Sequence, residues 1–172
     1  MNTHDFTALL EQFSDAAEAG DGAAFAACFT EDAVYHDYVY GDHQGRIEIA
    51  HMMEDQFHRD AGDDYRWEMF DPMCEDDLAY AWSLSSFIST VPEFAGKKVV
   101  IDGMSRFKLR DGLIADYRES VNGGVAMAQL GVQPDRLAKV CAKWAKMLIA
   151  EPRCTEFLAR GKGSGRLRGG SA

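Results

Sequence analysis

The sequence predicts an α+β fold: helices first, an antiparallel sheet after them, and a C-terminal helical extension. Two periodicities carry this expectation. Up to Arg59, outside the segment Val34 to Tyr40, apolar residues recur three and four apart, and from Tyr65 the repeat shortens to two in the strands that reach Val121. No internal repeat is visible, so the 172 residues are read as one domain with an appendage.

The elements follow in order. Phe6, Leu9, Leu10, Phe13, Ala16 and Ala17 keep helical spacing, and Gly20 stops the run. Asp21 can cap a short helix carrying Phe25, Ala26 and Phe29. Val34 to Tyr40 is β-branched and aromatic and reads as a strand. Gly41 and Gly45 bracket a turn, and a third helix runs from about Arg46 to Arg59 with Ile49, Ala50, Met53 and Phe57 on one face. After the acidic loop 60–64, Tyr65, Trp67 and Met69 alternate with Arg66 and Glu68. In the next strand Leu78, Tyr80, Trp82, Leu84 and Ile88 are expected to face inward, with Ala and Ser on the other side.

Val99 to Leu109 and Leu113 to Val121 form the last hairpin. A three-residue loop, Arg110-Asp111-Gly112, sets Phe107 opposite Ala115, Ser105 opposite Tyr117, Gly103 opposite Glu119 and Arg106 against Asp116. A two-residue turn would mix the faces, so the first register is preferred. Beyond Asn122 a short helix spans Gly124 to Leu130, and a longer one starts near Pro134 with Leu137, Val140, Trp144, Met147 and Leu148. These boundaries give a domain of residues 1–122, a helical extension 123–152 and a basic, glycine-rich tail 153–172.

Bulk properties narrow the partners. A net charge of −10 and a pI near 4.9 argue against nucleic acid or an anionic membrane. No apolar run approaches the roughly 20 residues of a membrane span. The N-terminus has no secretory pattern, so a cytoplasmic location is expected, with Cys28, Cys74, Cys141 and Cys154 as reduced thiols.

Three stretches carry a resemblance: Phe13 to Asp21, Phe29 to Asp37, and Arg106-Phe107 through Asp111-Gly112 to Tyr117-Arg118-Glu119. They resemble the SnoaL-like polyketide cyclases and ketosteroid isomerases of the nuclear-transport-factor-2-like superfamily. The resemblance covers about Thr3 to Asn122 and implies a curved sheet closed by N-terminal helices into a cone around one small-molecule pocket. It also implies that Asp37 stands where ketosteroid isomerases keep an aspartate general base; scytalone dehydratase resembles the same segment. Phe13 stands where those isomerases have a carbonyl-polarising tyrosine, and Ser105 lies near their protonated aspartate. Steroid isomerisation by that pair of donors is therefore not expected.

Strand parity supplies the candidate site. Asp37 shares a face with Tyr35 and Val39, an apolar wall that raises a carboxyl pKa towards the range of proton transfer. Glu119 shares a face with Tyr117 and makes a second carboxyl, the pattern of an acid–base pair. His36 points away unless the strand bulges, in which case it joins Asp37 and Glu119 as a catalytic candidate. Tyr35, Tyr80, Phe57, Trp82, Phe107 and Tyr117 are expected to line the cavity, with Trp82 and Tyr117 forming a flat slot and Ser105 offering a hydroxyl to a carbonyl. His43 can hang over the mouth. His51 and His58 lie seven apart, which is not metal-ligand spacing. No phosphate cradle or nucleophile elbow is present, so no cofactor and no metal are expected.

The composite reading is a cofactor-independent lyase, isomerase or cyclase for a small hydrophobic, ring-bearing carbonyl compound. A non-catalytic ligand carrier is one alternative, and a structural subunit like the β-subunits of ring-hydroxylating dioxygenases is another. Met104, Phe87 and Val91 on the face away from the pocket, with Trp144, suggest a homodimer.

Overall fold

The computed structural model describes residues 1–160 apart from 38 and 63. It divides into two compact units, Met1–Val132 and a second from Gln133.

In the first unit, α1 (Thr3–Ala19) is capped by the Asn2 side chain, which accepts from the Asp5 amide, and ends at Gly20 with φ 65°. It buries Phe6, Leu9, Leu10, Phe13, Ala16 and Ala17, the expected stripe. α2 (Gly22–Ala27) is capped by Asp21, whose Oδ1 accepts from the Ala24 amide at 2.9 Å. β1 (Phe29–Asp37) begins before the expected Val34. The segment read as a turn is a short strand, β2 (Gly41–Gln44), paired antiparallel with the end of β1. The helix expected over Arg46–Arg59 is continuous but changes pitch: α3 (Gly45–His51), a π-helical stretch Met52–His58, then α4 (Arg59–Ala61). The wider turns bury Met52 and Met53 side by side.

The other strands are β3 (Arg66–Glu75), β4 (Leu78–Ile88), β5 (Lys98–Arg110) and β6 (Leu113–Val121). They form one curved, six-stranded sheet in the order β2-β1-β6-β5-β4-β3. Every neighbouring pair is antiparallel except β1 and β6, which run parallel. The core lies between this sheet and the N-terminal helices. Phe13 is its hub, with ring centroids 4.7 Å from Phe25, 4.8 Å from Trp67 and 5.5 Å from Tyr117.

Two expectations are corrected here. First, β4 is turned over: Ala79, Ala81, Ser83 and Ser85 are buried, while Tyr80, Trp82, Leu84 and Ile88 are exposed. Phe87, expected outside, packs against the core instead. The inner face takes small residues because Phe13, Trp67, Phe107 and Tyr117 already occupy that space. Second, the β5–β6 hairpin turns on two residues, Asp111 and Gly112, with φ of 53° and 83°. A bulge follows, since Leu109 opposes Ile114 but Lys108 opposes Asp116, leaving Ala115 without a partner. The extra residue restores the faces that a two-residue turn alone would mix. Phe107 thus opposes Tyr117, Ser105 opposes Glu119, and Gly103 opposes Val121 rather than Glu119. Arg106 sits across from Arg118, and its guanidinium reaches Asp116 diagonally at 3.1 Å.

α5 (Gly123–Leu130) follows the Asn122 cap and docks on β5, where the Gln129 amide bonds both the N–H and the C=O of Val100 at 3.0 and 2.8 Å. The second unit holds α6 (Pro134–Ala150) and α7 (Pro152–Ala159). The tail expected from Arg153 is therefore helical as far as Ala159, with Pro152 starting it at a position where no amide is needed. The rest of that tail lies outside the described residues. Among the described residues no helix is long and apolar enough to cross a membrane.

Candidate functional site

The concave face of the sheet collects polar groups from several strands. β1 points Ala33 and Tyr35 inward and ends at Asp37. β6 contributes Tyr117 and Glu119, β5 contributes Ser105, and Tyr65 stands at the start of β3. His43 on β2 lies directly across from Tyr35 and is buried.

Asp37 is held by the chain that follows it. Its Oδ1 accepts from the Val39 amide at 2.6 Å and the Tyr40 amide at 2.7 Å, a turn closed by the carboxylate itself. Burial raises its pKa, while these two amides and the neighbouring His43 work in the opposite direction. Glu119 has fewer donors. Burial, and then the charge of Asp37, push it up to about 7, against the opposing hydrogen bond from Tyr117. Glu119 thus feels the charge of Asp37, and the two carboxyls are unequal: Asp37 is clamped by amides, while Glu119 holds its proton far above the usual carboxyl range.

Around them the aromatic groups interlock. Tyr117 donates to Glu119 Oε2 at 3.2 Å, and its hydroxyl lies 3.0 Å from Ser105 Oγ. Tyr35 stacks on Tyr117 at 4.6 Å, and Phe57 meets Tyr65 edge-on at 4.7 Å. Burial raises the phenols of Tyr35, Tyr65 and Tyr117 well above their usual value, so all three are neutral donors.

Of the residues expected in the site, the structure thus brings Asp37, Glu119, Tyr35, Ser105 and Tyr117 together, with Phe57 at its helical side. Phe107 is fully buried, packed on Phe6 and Tyr117 at 5.1 Å each, and belongs to the core beneath. Trp82 and Tyr80 are corrected: they lie on the convex face, 44% and 40% exposed. His36 is corrected too. β1 carries no bulge at His36, so its ring turns outward and sits between Asp42 (Nδ1 to Oδ1, 2.8 Å) and Asp116 (Nε2 to Oδ2, 3.2 Å). The Asp116 carboxylate is the chief reason its pKa rises.

Tyr65 stands near the site without having been expected there from the sequence. It feels the charges of both carboxyls and bonds Ser85; its inward phase with Trp67 was the available signal. His43 was weighed only for the mouth. Its Nε2 is buried without a hydrogen-bond partner among the described residues, and with Glu48, His51, Asp55 and Gln56 it lines a cleft of about 430 Å³ beside β2. Among the described residues no three His, Cys, Asp or Glu side chains converge on a point that could hold a metal.

Residues 10–117 match the family model of the SnoaL-like domain. No curated protein matches the chain by sequence. Among solved structures, IdmH from Streptomyces antibioticus, a proposed polyketide cyclase, is 18% identical over 73% of this chain and 98% of its own, with a TM-score of 0.61. TsrD from Streptomyces laurentii is 19% identical over 77% and 99%, with a TM-score of 0.66. An LEH-like epoxide hydrolase of M. tuberculosis is 16% identical over 74% and 90%, with a TM-score of 0.61. At these identities the likeness to solved structures is one of fold.

Proposed function

The chain belongs to the SnoaL-like domain family, and from that premise we propose that it is a cofactor-independent lyase, isomerase or cyclase for a small hydrophobic, ring-bearing carbonyl compound. The observation that carries this reading is the unequal carboxyl pair on the concave face. Asp37, fixed by two amides, takes a proton from the carbon next to the carbonyl. Glu119, protonated up to about pH 7, returns one. The neutral phenols of Tyr35 and Tyr65 are the groups available to meet charge developing on the substrate oxygen.

The test is solvent-deuterium uptake across a panel of cyclic ketones and hydroxy-ketones. On a compound that exchanges, Asp37→Asn is expected to lower the rate by about two to four orders of magnitude with ligand affinity nearly unchanged. The rate of the parent is expected to fall as pH rises past about 7, where Glu119 loses its proton. A rate equal to the parent's in Asp37→Asn would remove Asp37 from the chemistry.

A second reading, a carrier that binds without turnover, is favoured by one observation: both bonds to Asp37 Oδ1 come from its own turn, a structural use of the carboxylate. Tight binding with no exchange on any panel member selects it.

The same reading includes a homodimer through the convex face. Phe70, Trp82 and Met104 form a row across β3, β4 and β5, flanked by Glu68, Leu84 and Asp102 on one side and Arg106 and Arg118 on the other. A second copy turned by a two-fold axis sets the acidic side on the basic one. Light scattering is expected to give twice the protomer mass, and Trp82→Glu to give a folded monomer. A monomeric parent at micromolar concentration overturns it.

A further inference from the structure

Ser105 was expected to offer its hydroxyl to a substrate carbonyl and Tyr117 to form a flat slot for a ring, yet both are fully buried and already engaged. Tyr117 has one hydroxyl proton, and it goes to Glu119 Oε2. The 3.0 Å contact with Ser105 must then run the other way, with Ser105 donating and the Tyr117 oxygen accepting. The direction of the chain is thereby set: Ser105 to Tyr117 to Glu119. The Tyr117 ring cannot swing out of it, since Tyr35 is stacked on it at 4.6 Å and the Phe107 and Phe13 rings lie at 5.1 and 5.5 Å.

We propose that Ser105 and Tyr117 are positioning residues whose one-way hydrogen-bond chain holds the Glu119 carboxyl with Oε2 occupied and Oε1 free to carry the exchangeable proton towards the ligand. The inference rests on the acid–base reading of Glu119. Oε2 accepts from Tyr117 whether the carboxyl is charged or neutral, so a proton on Oε2 would face a donor and require the whole chain to reverse. Oε1 has no hydrogen-bond partner among the described residues and is where the proton resides. Substrate contact then falls to Glu119 itself, and neither hydroxyl behind it touches the reacting atoms.

The test is a carboxyl-carbon NMR titration of Glu119, assigned with Glu119→Gln, in the parent, Tyr117→Phe and Ser105→Ala proteins. Tyr117→Phe keeps the ring and loses the donor, and the Glu119 midpoint is expected to rise by roughly 0.5–1 pH unit, the size of one modest hydrogen bond. Ser105→Ala is expected to move it by less in the same direction, because Tyr117 loses only the group that polarises it. A purely packing role would lower thermal stability and leave the midpoint where it was. A midpoint unchanged within about 0.2 units in folded Tyr117→Phe overturns the proposal. If Tyr117→Phe fails to fold, Ser105→Ala decides: an upward shift supports the chain and no shift overturns it. Failure of the catalytic reading looks different. Full turnover in Glu119→Gln removes the acid but leaves the titration linkage intact, whereas an unmoved midpoint beside a dead Glu119→Gln removes the chain and keeps the acid.

Discussion

The two faces of β4 are built in opposite ways. The concave face carries Ala79, Ala81, Ser83 and Ser85, all buried, and the convex face carries Tyr80, Trp82, Leu84 and Ile88, all exposed. Hydrophobicity alone would have put the large residues inside. What decides is the space opposite each face. The concave side receives Phe6 and Phe13 from α1, Trp67 from β3 and Tyr117 from β6, so its floor has room only for small side chains. One of the serines, Ser85, bonds Tyr65, which feels the charges of both carboxyls. The convex side leaves Tyr80, Trp82 and Met104 exposed, and its aromatic row is a surface suited to a second copy.

The largest effect expected from this contrast comes from removing the hub of the concave side. Phe13→Ala takes away the ring that touches Phe25, Trp67 and Tyr117 and should cost about 3–5 kcal/mol in denaturant unfolding. A loss under about 1 kcal/mol would mean that the concave core is loosely filled and that the inverted face of β4 has another cause. Adjacent residues of β4 should then separate the two faces. Ala81→Leu forces bulk under packed rings and is expected to destabilise by about 1–3 kcal/mol. Trp82→Ala should change protomer stability far less when compared under monomeric conditions, its ring being nearly half exposed. Equal losses at the two positions would break the contrast.

The sequence made part of this legible. The α1 stripe, the inward phase of Tyr65 and Trp67, and the shared face of Tyr117 and Glu119 all follow from period, because each element there is regular. The departures lie where an irregular residue intervenes. Ala115, one unpaired residue in β6, shifts every partner from Lys108 back along β5, and nothing in Arg110-Asp111-Gly112 announces it. The face of β4 failed for a different reason. Alternation identifies two faces but not which is inner, and only the neighbouring rings decide that. His36 shows parity working: read as outward in a regular strand, it is outward.

Glu119 allows a pH test of the concave side. Its folded-state pKa is raised from 4.5 to about 7, chiefly by burial. The folded protein thus holds a proton that the unfolded chain has released between those values, and stability falls as pH rises through that window. Glu119→Gln removes the titrating group, so its stability relative to the parent should improve from pH 4 to pH 8 by about 1–3 kcal/mol, towards the lower figure because Glu119 is partly open to solvent. A pH-independent difference between the two proteins would show that the carboxyl is better solvated than its neighbours imply.

His36 is the convex counterpart and gives the smallest expected effect. Asp116 raises its pKa, Asp42 adds to this, and burial and the Arg118 guanidinium oppose it. A histidine stabilised in its charged form contributes stability that is fully present below its unfolded value of about 6.5 and is lost as pH rises through the folded value. Parent and His36→Gln should therefore differ most in acid and converge in alkali, by less than about 1 kcal/mol because the ion pairs are partly solvated and screened by salt. Both faces lose stability as pH rises, but for opposite reasons. On the concave side a carboxyl is forced to charge without a counter-ion, and on the convex side an imidazolium leaves the carboxylates that held it. Salt separates the two. Raising ionic strength should flatten the His36 difference and leave that of Glu119, whose cause is desolvation, nearly unchanged. If salt flattens both equally, the charge of Asp37 rather than burial dominates at Glu119, and the concave pair is an ordinary solvated couple.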